Sequence, residues 1–148
     1  MRPGDVDDVV RIARSGMLHP WSRRQVWQEV VCSRSMALVA CRTGICGYVF
    51  FRFIGQEAEL LQLVVEPACH GWGIGGRLLR VGSQRLARQG VAVCFLEVRQ
   101  KNNRARCFYA KFGFEDIGQR VKYYRQPVDD AVVMRKYISG DRSDAYHT

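Results

Sequence analysis

One strand, one turn and one helix constrain this chain more than anything else in it. Leu60-Leu61-Gln62-Leu63-Val64-Val65 is an apolar run that reads as a buried strand, stopped by Pro67. Gly71, Gly73, Gly75 and Gly76 follow. Ile74, Leu78, Leu79, Val81 and Leu86 then recur at roughly helical spacing, with Arg77, Arg80, Arg85 and Arg88 between them. A glycine-rich turn that opens a helix is a ready anion site. Its free N–H groups point outward, the helix dipole favours negative charge, and the missing side chains let a phosphate approach. The turn is therefore expected to hold a pyrophosphate.

The elements around this unit set the fold class. Val91 to Val98 reads as a second buried strand, and the arginine-bearing helix connects it to the first, so the two should be parallel. Upstream, Met36 to Cys41 and Ile45 to Ile54 form a hairpin about Thr43-Gly44, and Gly55-Gln56 turns into the strand Glu57 to Glu66. Downstream, Asn102 to Phe112 reads as a short helix closed by Gly113, and Phe114 to Arg125 pairs with Asp130 to Tyr137. Two helices come first, one over residues 5 to 16 capped by Asp5, the other capped by Ser22 with Val26, Val30 and Val31 on its apolar side. The expectation is an α/β domain over residues 1–138. It has a mixed, mostly antiparallel sheet, one parallel pair at the anion site and helices on both faces. A polar tail follows over 139–148.

Composition bounds the function. With 148 residues and 47% hydrophobic content, the chain can bury a core without staples. No apolar run approaches the ~20 residues of a membrane span, and Met-Arg-Pro-Gly-Asp is no signal peptide, so a cytoplasmic protein is expected. The six cysteines have no CxxC spacing and read as small buried hydrophobes in a reducing compartment; with three scattered histidines they give no metal site. The net charge of +9 suits a phosphate-rich cofactor, an acidic peptide or ribosomal RNA, or simply a solvated basic surface. No dense Lys/Arg run or nucleic-acid module accompanies it, so direct nucleic-acid binding is not expected.

Two cofactors compete for the turn. Gly71, Gly73 and Gly76 fit the dinucleotide fingerprint G-x-G-x-x-G, and Glu97 lies near where that fingerprint wants an acid. Against this, Glu66 to His70 separate the strand from the first glycine, and too little chain follows Glu97 for a doubly wound fold. The second match is stronger. His70 to Gly75 resemble the Q/R-x-x-G-x-G/A acetyl-CoA loop of the GNAT acetyltransferases, although His70 replaces the usual Gln or Arg, and Gly71 and Trp72 replace polar residues. Leu96-Glu97-Val98-Arg99, Asn102, Ala105, Tyr109 and Gly113-Phe114 resemble the LEVRxxNxxAxxxYxxxGF run of the N-terminal protein acetyltransferases in that superfamily. His19-Pro20-Trp21-Ser22 and the ending from Tyr123-Tyr124 resemble its ribosomal-protein alanine acetyltransferase branch. Related domains usually open with a strand before the first helix; here it is missing or very short.

The resemblance implies acetyl-CoA as co-substrate and a protein α-amine as acceptor, the N-terminal alanine of a ribosomal protein. The alternative is a small amine or a lysine side chain. The glycine turn, Gly71, Trp72, Gly73, Ile74, Gly75 and Gly76, would take the pyrophosphate. Leu63, Val64 and Val65 would pair through their backbones with the pantetheine arm, and Asn102 would contact it or serve as a plain helix cap. Glu97, among apolar neighbours, would be a general base with a raised pKa, or else a salt-bridge partner of Arg99. Tyr109 would be the general acid, or else a core aromatic. Trp21 would either plug the core or line the peptide groove, with Tyr123 and Tyr124 clamping the peptide opposite. The basic charge would favour acidic residues downstream in the acceptor.

Overall fold

The computed structural model describes residues 1–138, so the tail expected from Ser139 lies outside them. Their order is α1 (Val6–Gly16), α2 (Arg23–Val31), β1 (Ser35–Cys41), β2 (Ile45–Ile54), β3 (Glu57–Val65), α3 (Ile74–Arg88), β4 (Val93–Arg99), α4 (Asn103–Lys111), β5 (Glu115–Arg125) and β6 (Val128–Tyr137). The six strands form one sheet in the order β1-β2-β3-β4-β6-β5. Every pairing is antiparallel except β3 with β4. That single parallel pair, where a doubly wound sheet would have several, removes the dinucleotide alternative. No strand precedes α1 among the described residues; a 3₁₀ turn, Pro3–Asp5, stands there.

Helices cover both faces because β2 is apolar at successive positions, and successive side chains of a strand point to opposite faces. Val49 and Phe51 join a core with Leu78, Leu79 and Leu86 of α3 and with Leu96 and Met134. Tyr48 and Phe50 join a second core with Val9, Ile12 and Ala13 of α1 and Val26 of α2. Each valine, leucine, isoleucine, phenylalanine or methionine among them contributes roughly 1.5–3 kcal/mol when fully buried. Gly82 lets α3 sit against β2, since a Cβ there would collide with the Phe51 ring.

The ends of the helices differ in part from expectation. Ser22 caps α2 in a reciprocal box with Gln25. Asp5 occupies the cap position of α1, but its carboxylate accepts from the N–H of Arg2 instead, and so closes the preceding turn. Val31 and Val81, both expected on apolar faces, are exposed. Only Cys46 and Cys94 of the six cysteines are buried; Cys41 and Cys107 are exposed.

One irregularity of the sheet matters most. The β3–β4 ladder holds only from Glu57↔Val93 to Glu59↔Phe95. Beyond it β3 stays paired with β2 as far as Gly47↔Val65, and β4 with β6 as far as Arg99↔Ala131. The two strands therefore splay apart in mid-sheet. Between Leu60–Val65 and Leu96–Arg99 the inner backbone edges face a gap instead of each other.

Candidate active site

The glycine turn lies at the wide end of this splay. Gly71 and Gly73 have φ of 85° and 76°, left-handed values that favour glycine. Gly73 is the N-cap of α3 and has no side chain to satisfy the first-turn N–H groups, so these remain available to a ligand. Gly75 and Gly76 serve packing as well. A Cβ on Gly75 would stand 3.3 Å from Phe108 Cζ, and one on Gly76 would stand 2.5 Å from Phe112 Cζ. A cavity of about 360 Å³ opens over the turn, lined by Leu63, Val65, His70, Gly71, Gly73, Ile74, Gly75, Gly76, Asn102, Arg104, Phe108 and Tyr109. Asn102 both lines it and caps α4, its Oδ1 accepting from Ala105 N at 3.2 Å. Trp72 points elsewhere: it lines a separate cavity between β1 and α3, with the Arg42 guanidinium 3.6 Å from its ring centre.

A groove enters the same splay from the other side. Its walls include Met17, Leu18, His19 and Trp21 from the α1–α2 loop and Tyr124 and Pro127 from the β5–β6 hairpin, and its floor includes Leu60 to Val65 and Leu96 to Arg99. Trp21 does both things expected of it, stacking on the buried Phe50 at 5.7 Å while lining the groove. The hairpin is tied down across the groove mouth. Arg99 donates to the carbonyls of Pro127 (2.8 Å) and Gln126 (3.2 Å) and lies 4.2 Å over the Tyr124 ring. His19 Nε2 bonds the Gln126 carbonyl at 2.7 Å, joining the loop to the hairpin.

Two polar side chains line the groove, and one of them, Tyr109, also lines the cavity. Glu97 lies on the groove floor with 19% of its side chain exposed. Its partner is Arg120, whose Nε is 3.3 Å from Oε1. The Arg99 pairing does not form: residues 97 and 99 of the strand share a face, but the Arg99 guanidinium is spent on the hairpin carbonyls. The phenol of Tyr123 is pushed up, first by its hydrogen bond to Glu97. The phenol of Tyr124 is pushed up by burial first and by the Glu97 charge second. Tyr109 lines both spaces, and its ring meets Phe108 and Phe114 edge-on. Burial raises its phenol well above the ordinary value. An anion-binding turn, a carboxylate and a protonated phenol thus border one passage through the sheet, an arrangement suited to moving an acyl group from one ligand to another.

The sequence profile described as the acetyltransferase (GNAT) family matches residues 6–114. The chain belongs to this family. It is 38% identical over 128 residues to the N-alpha-acetyltransferase RimI of Mycobacterium tuberculosis, covering 79% of this chain and 78% of the other. It is 31% identical over 138 residues to the [ribosomal protein bS18]-alanine N-acetyltransferase of Escherichia coli strain K12, covering 91% and 93%. The crystal structure of the ribosomal-protein-S18-alanine N-acetyltransferase from Escherichia coli superposes with a TM-score of 0.86 at 25% identity, over 93% of this chain and 90% of that one.

As a GNAT acetyltransferase the chain uses acetyl-CoA, and the residues of the cavity fit that co-substrate. The turn offers free N–H groups to a pyrophosphate, and beside it the backbone edge of Leu63 to Val65 faces the gap left where the β3–β4 ladder ends. Of the expected site residues the fold brings together Leu63, Val64, Val65, Ile74, the glycines, Asn102, Glu97, Tyr109, Trp21 and Tyr124; Tyr123 lies beside Glu97, and Trp72 stands apart. Sequence reasoning passed over Arg120, Arg104 and the Arg99–hairpin tie. Only His70 carried a signal, as the residue that breaks the GNAT loop pattern.

Proposed function

We propose that this GNAT acetyltransferase acetylates protein N-termini, and that its acceptor is the N-terminal alanine of a small-subunit ribosomal protein. The observation that carries the reading is the passage: a groove walled by Trp21 and Tyr124 and floored by Glu97 opens through the splay onto the glycine-turn cavity. A groove walled by the α1–α2 loop on one side and the β5–β6 hairpin on the other suits the end of a peptide. The relatives named for ribosomal protein bS18 support the acceptor.

Acetyl-CoA supplies the activated acyl group. Glu97 receives the proton of the acceptor ammonium, directly or through a water. The requirement is modest for an α-amine, which titrates near ~7.7–8.0, and severe for lysine near ~10.4. Tyr109 faces the departing sulfur. Its phenol lies above its usual ~10, whereas a thiol lies near ~8.5. It therefore acts as a hydrogen-bond donor to the developing thiolate more than as the source of a fully transferred proton. Backbone N–H groups of Leu63 to Val65 on the gap side hold the arm and the carbonyl oxygen.

The test is a competition among peptides beginning Ala, Ser, Met or Leu and one whose single amine is an internal lysine, with free thiol and product mass as readouts. The Ala peptide is expected to win. Preferential lysine acetylation would overturn the reading, and equal use of all N-termini would remove the alanine assignment.

A further inference from the structure

His70 and Arg104 meet across the cavity, and the direction of their hydrogen bonds follows from chemistry alone. Arg104 Nη2 lies 3.3 Å from His70 Nδ1, and His70 Nε2 lies 2.9 Å from the Val65 carbonyl. Arginine has donors only, so Nδ1 accepts; the ring proton is then on Nε2, which donates to Val65. The chain Arg104–His70–Val65 thereby ties the start of α4 to the end of β3 across the glycine turn.

Arg104 is costly where it stands. It is in the first turn of α4, where a helix dipole disfavours a cation, and it shares the cavity with the N-terminus of α3. Among the described residues no carboxylate pairs with it, although six other arginines have such partners. Two positive helix ends and a guanidinium therefore border one cavity, an arrangement that favours an anion there. His70 adds no charge in this tautomer and fixes where the guanidinium points.

We propose that Arg104 binds the diphosphate of the co-substrate, and that His70 is its positioning residue. This rests on the reading of the glycine-turn cavity as the acetyl-CoA site. In this chain the loop position usually held by Gln or Arg carries a histidine that orients a cation supplied by the neighbouring helix.

The experiment is calorimetric titration of the whole chain with CoA and with dephospho-CoA, beside turnover of S-acetylpantetheine, which lacks the diphosphate. Arg104→Gln should weaken CoA and dephospho-CoA equally, by about tenfold or more, as for loss of a charge-assisted bond. Its turnover of S-acetylpantetheine should fall by less than its turnover of acetyl-CoA, and equal falls would overturn the proposal. His70→Phe should reproduce part of that loss, and His70→Gln, which keeps one donor and one acceptor, should restore affinity. The double variant Arg104→Gln/His70→Phe should bind no worse than Arg104→Gln alone. Unchanged CoA affinity in Arg104→Gln, a loss confined to CoA over dephospho-CoA, or losses that multiply in the double variant would each overturn the proposal. If the unaltered chain binds no CoA, the cavity reading itself fails.

Discussion

Arg120 reaches Glu97 from a strand that does not adjoin it: β6 lies between β4 and β5, yet Nε and Oε1 are 3.3 Å apart. The contact is possible because the β5–β6 register breaks between Arg120 and Tyr124, with Lys122 at φ 51° inside the break. The distorted strand turns Arg120, Tyr123 and Tyr124 over β4. Glu97 is thus oriented by a guanidinium, and the carboxylate expected among apolar neighbours has a charged partner beside it.

Orientation predicts separable effects at the two polar residues. Glu97→Gln keeps the shape and loses the basic oxygen, so kcat should fall by about 10²–10⁴-fold while CoA affinity holds. Tyr109→Phe should lower kcat less, by about tenfold to a hundredfold, because a donated hydrogen bond is lost and not a complete proton transfer. The raised phenol gives the pH sign. Tyr109 keeps its proton through its usual value near ~10, so the alkaline limb of the kcat profile should show no loss attributable to it below that pH. A fall in wild-type kcat between pH 8 and 10 that is absent in Tyr109→Phe would refute the assignment.

Much of this was legible in the sequence where the signal is local. The glycine turn, α3 and the crossover follow from one apolar run, one proline and one helical period. Glu97 and Tyr109 were legible through the GNAT run that contains them. The unread part depends on register. His19 and Gln126 are far apart in sequence and meet only because the α1–α2 loop and the β5–β6 hairpin close over the same gap. β5 is exposed at nearly every position, so its alternation carries no face information and Arg120 gave no signal. Trp72 misled because a residue inside a binding loop can point out of it; its ring meets Arg42.

The glycines of α3 should divide by role. Gly75→Glu brings a carboxylate and bulk to the mouth of the turn, beside Phe108, and should weaken CoA binding more than tenfold with the fold intact. Gly82→Ala faces the Phe51 ring far from the cavity. It should cost about 1–3 kcal/mol of stability through overpacking and leave CoA affinity of the folded protein unchanged. Calorimetry and denaturant unfolding on both variants check the division, and an equal loss of CoA affinity in both would show that the turn responds to helix packing alone.

Alkaline stability tests the buried core independently of catalysis. Burial pushes the Cys94 thiol from 9.0 up to about 12 and raises the phenols of Tyr48 and Tyr109. In each case the folded state holds its proton to a higher pH than the unfolded chain does. Between the two values the unfolded state binds fewer protons, so the free energy of unfolding falls as pH rises; below the unfolded value the contribution is complete. The loss should therefore begin near pH 9 with Cys94 and steepen past pH 10 as the tyrosines join. Each group adds about 1.4 kcal/mol per pH unit within its window. Cys94→Ala removes the first of these groups. It should lower stability at pH 7 through the cavity it leaves, and it should flatten the decline between pH 9 and 10. Urea unfolding at pH 7, 9, 10 and 11 reads both effects, and an identical decline in the variant and the unaltered chain between pH 9 and 10 would show that the Cys94 thiol does not titrate with folding.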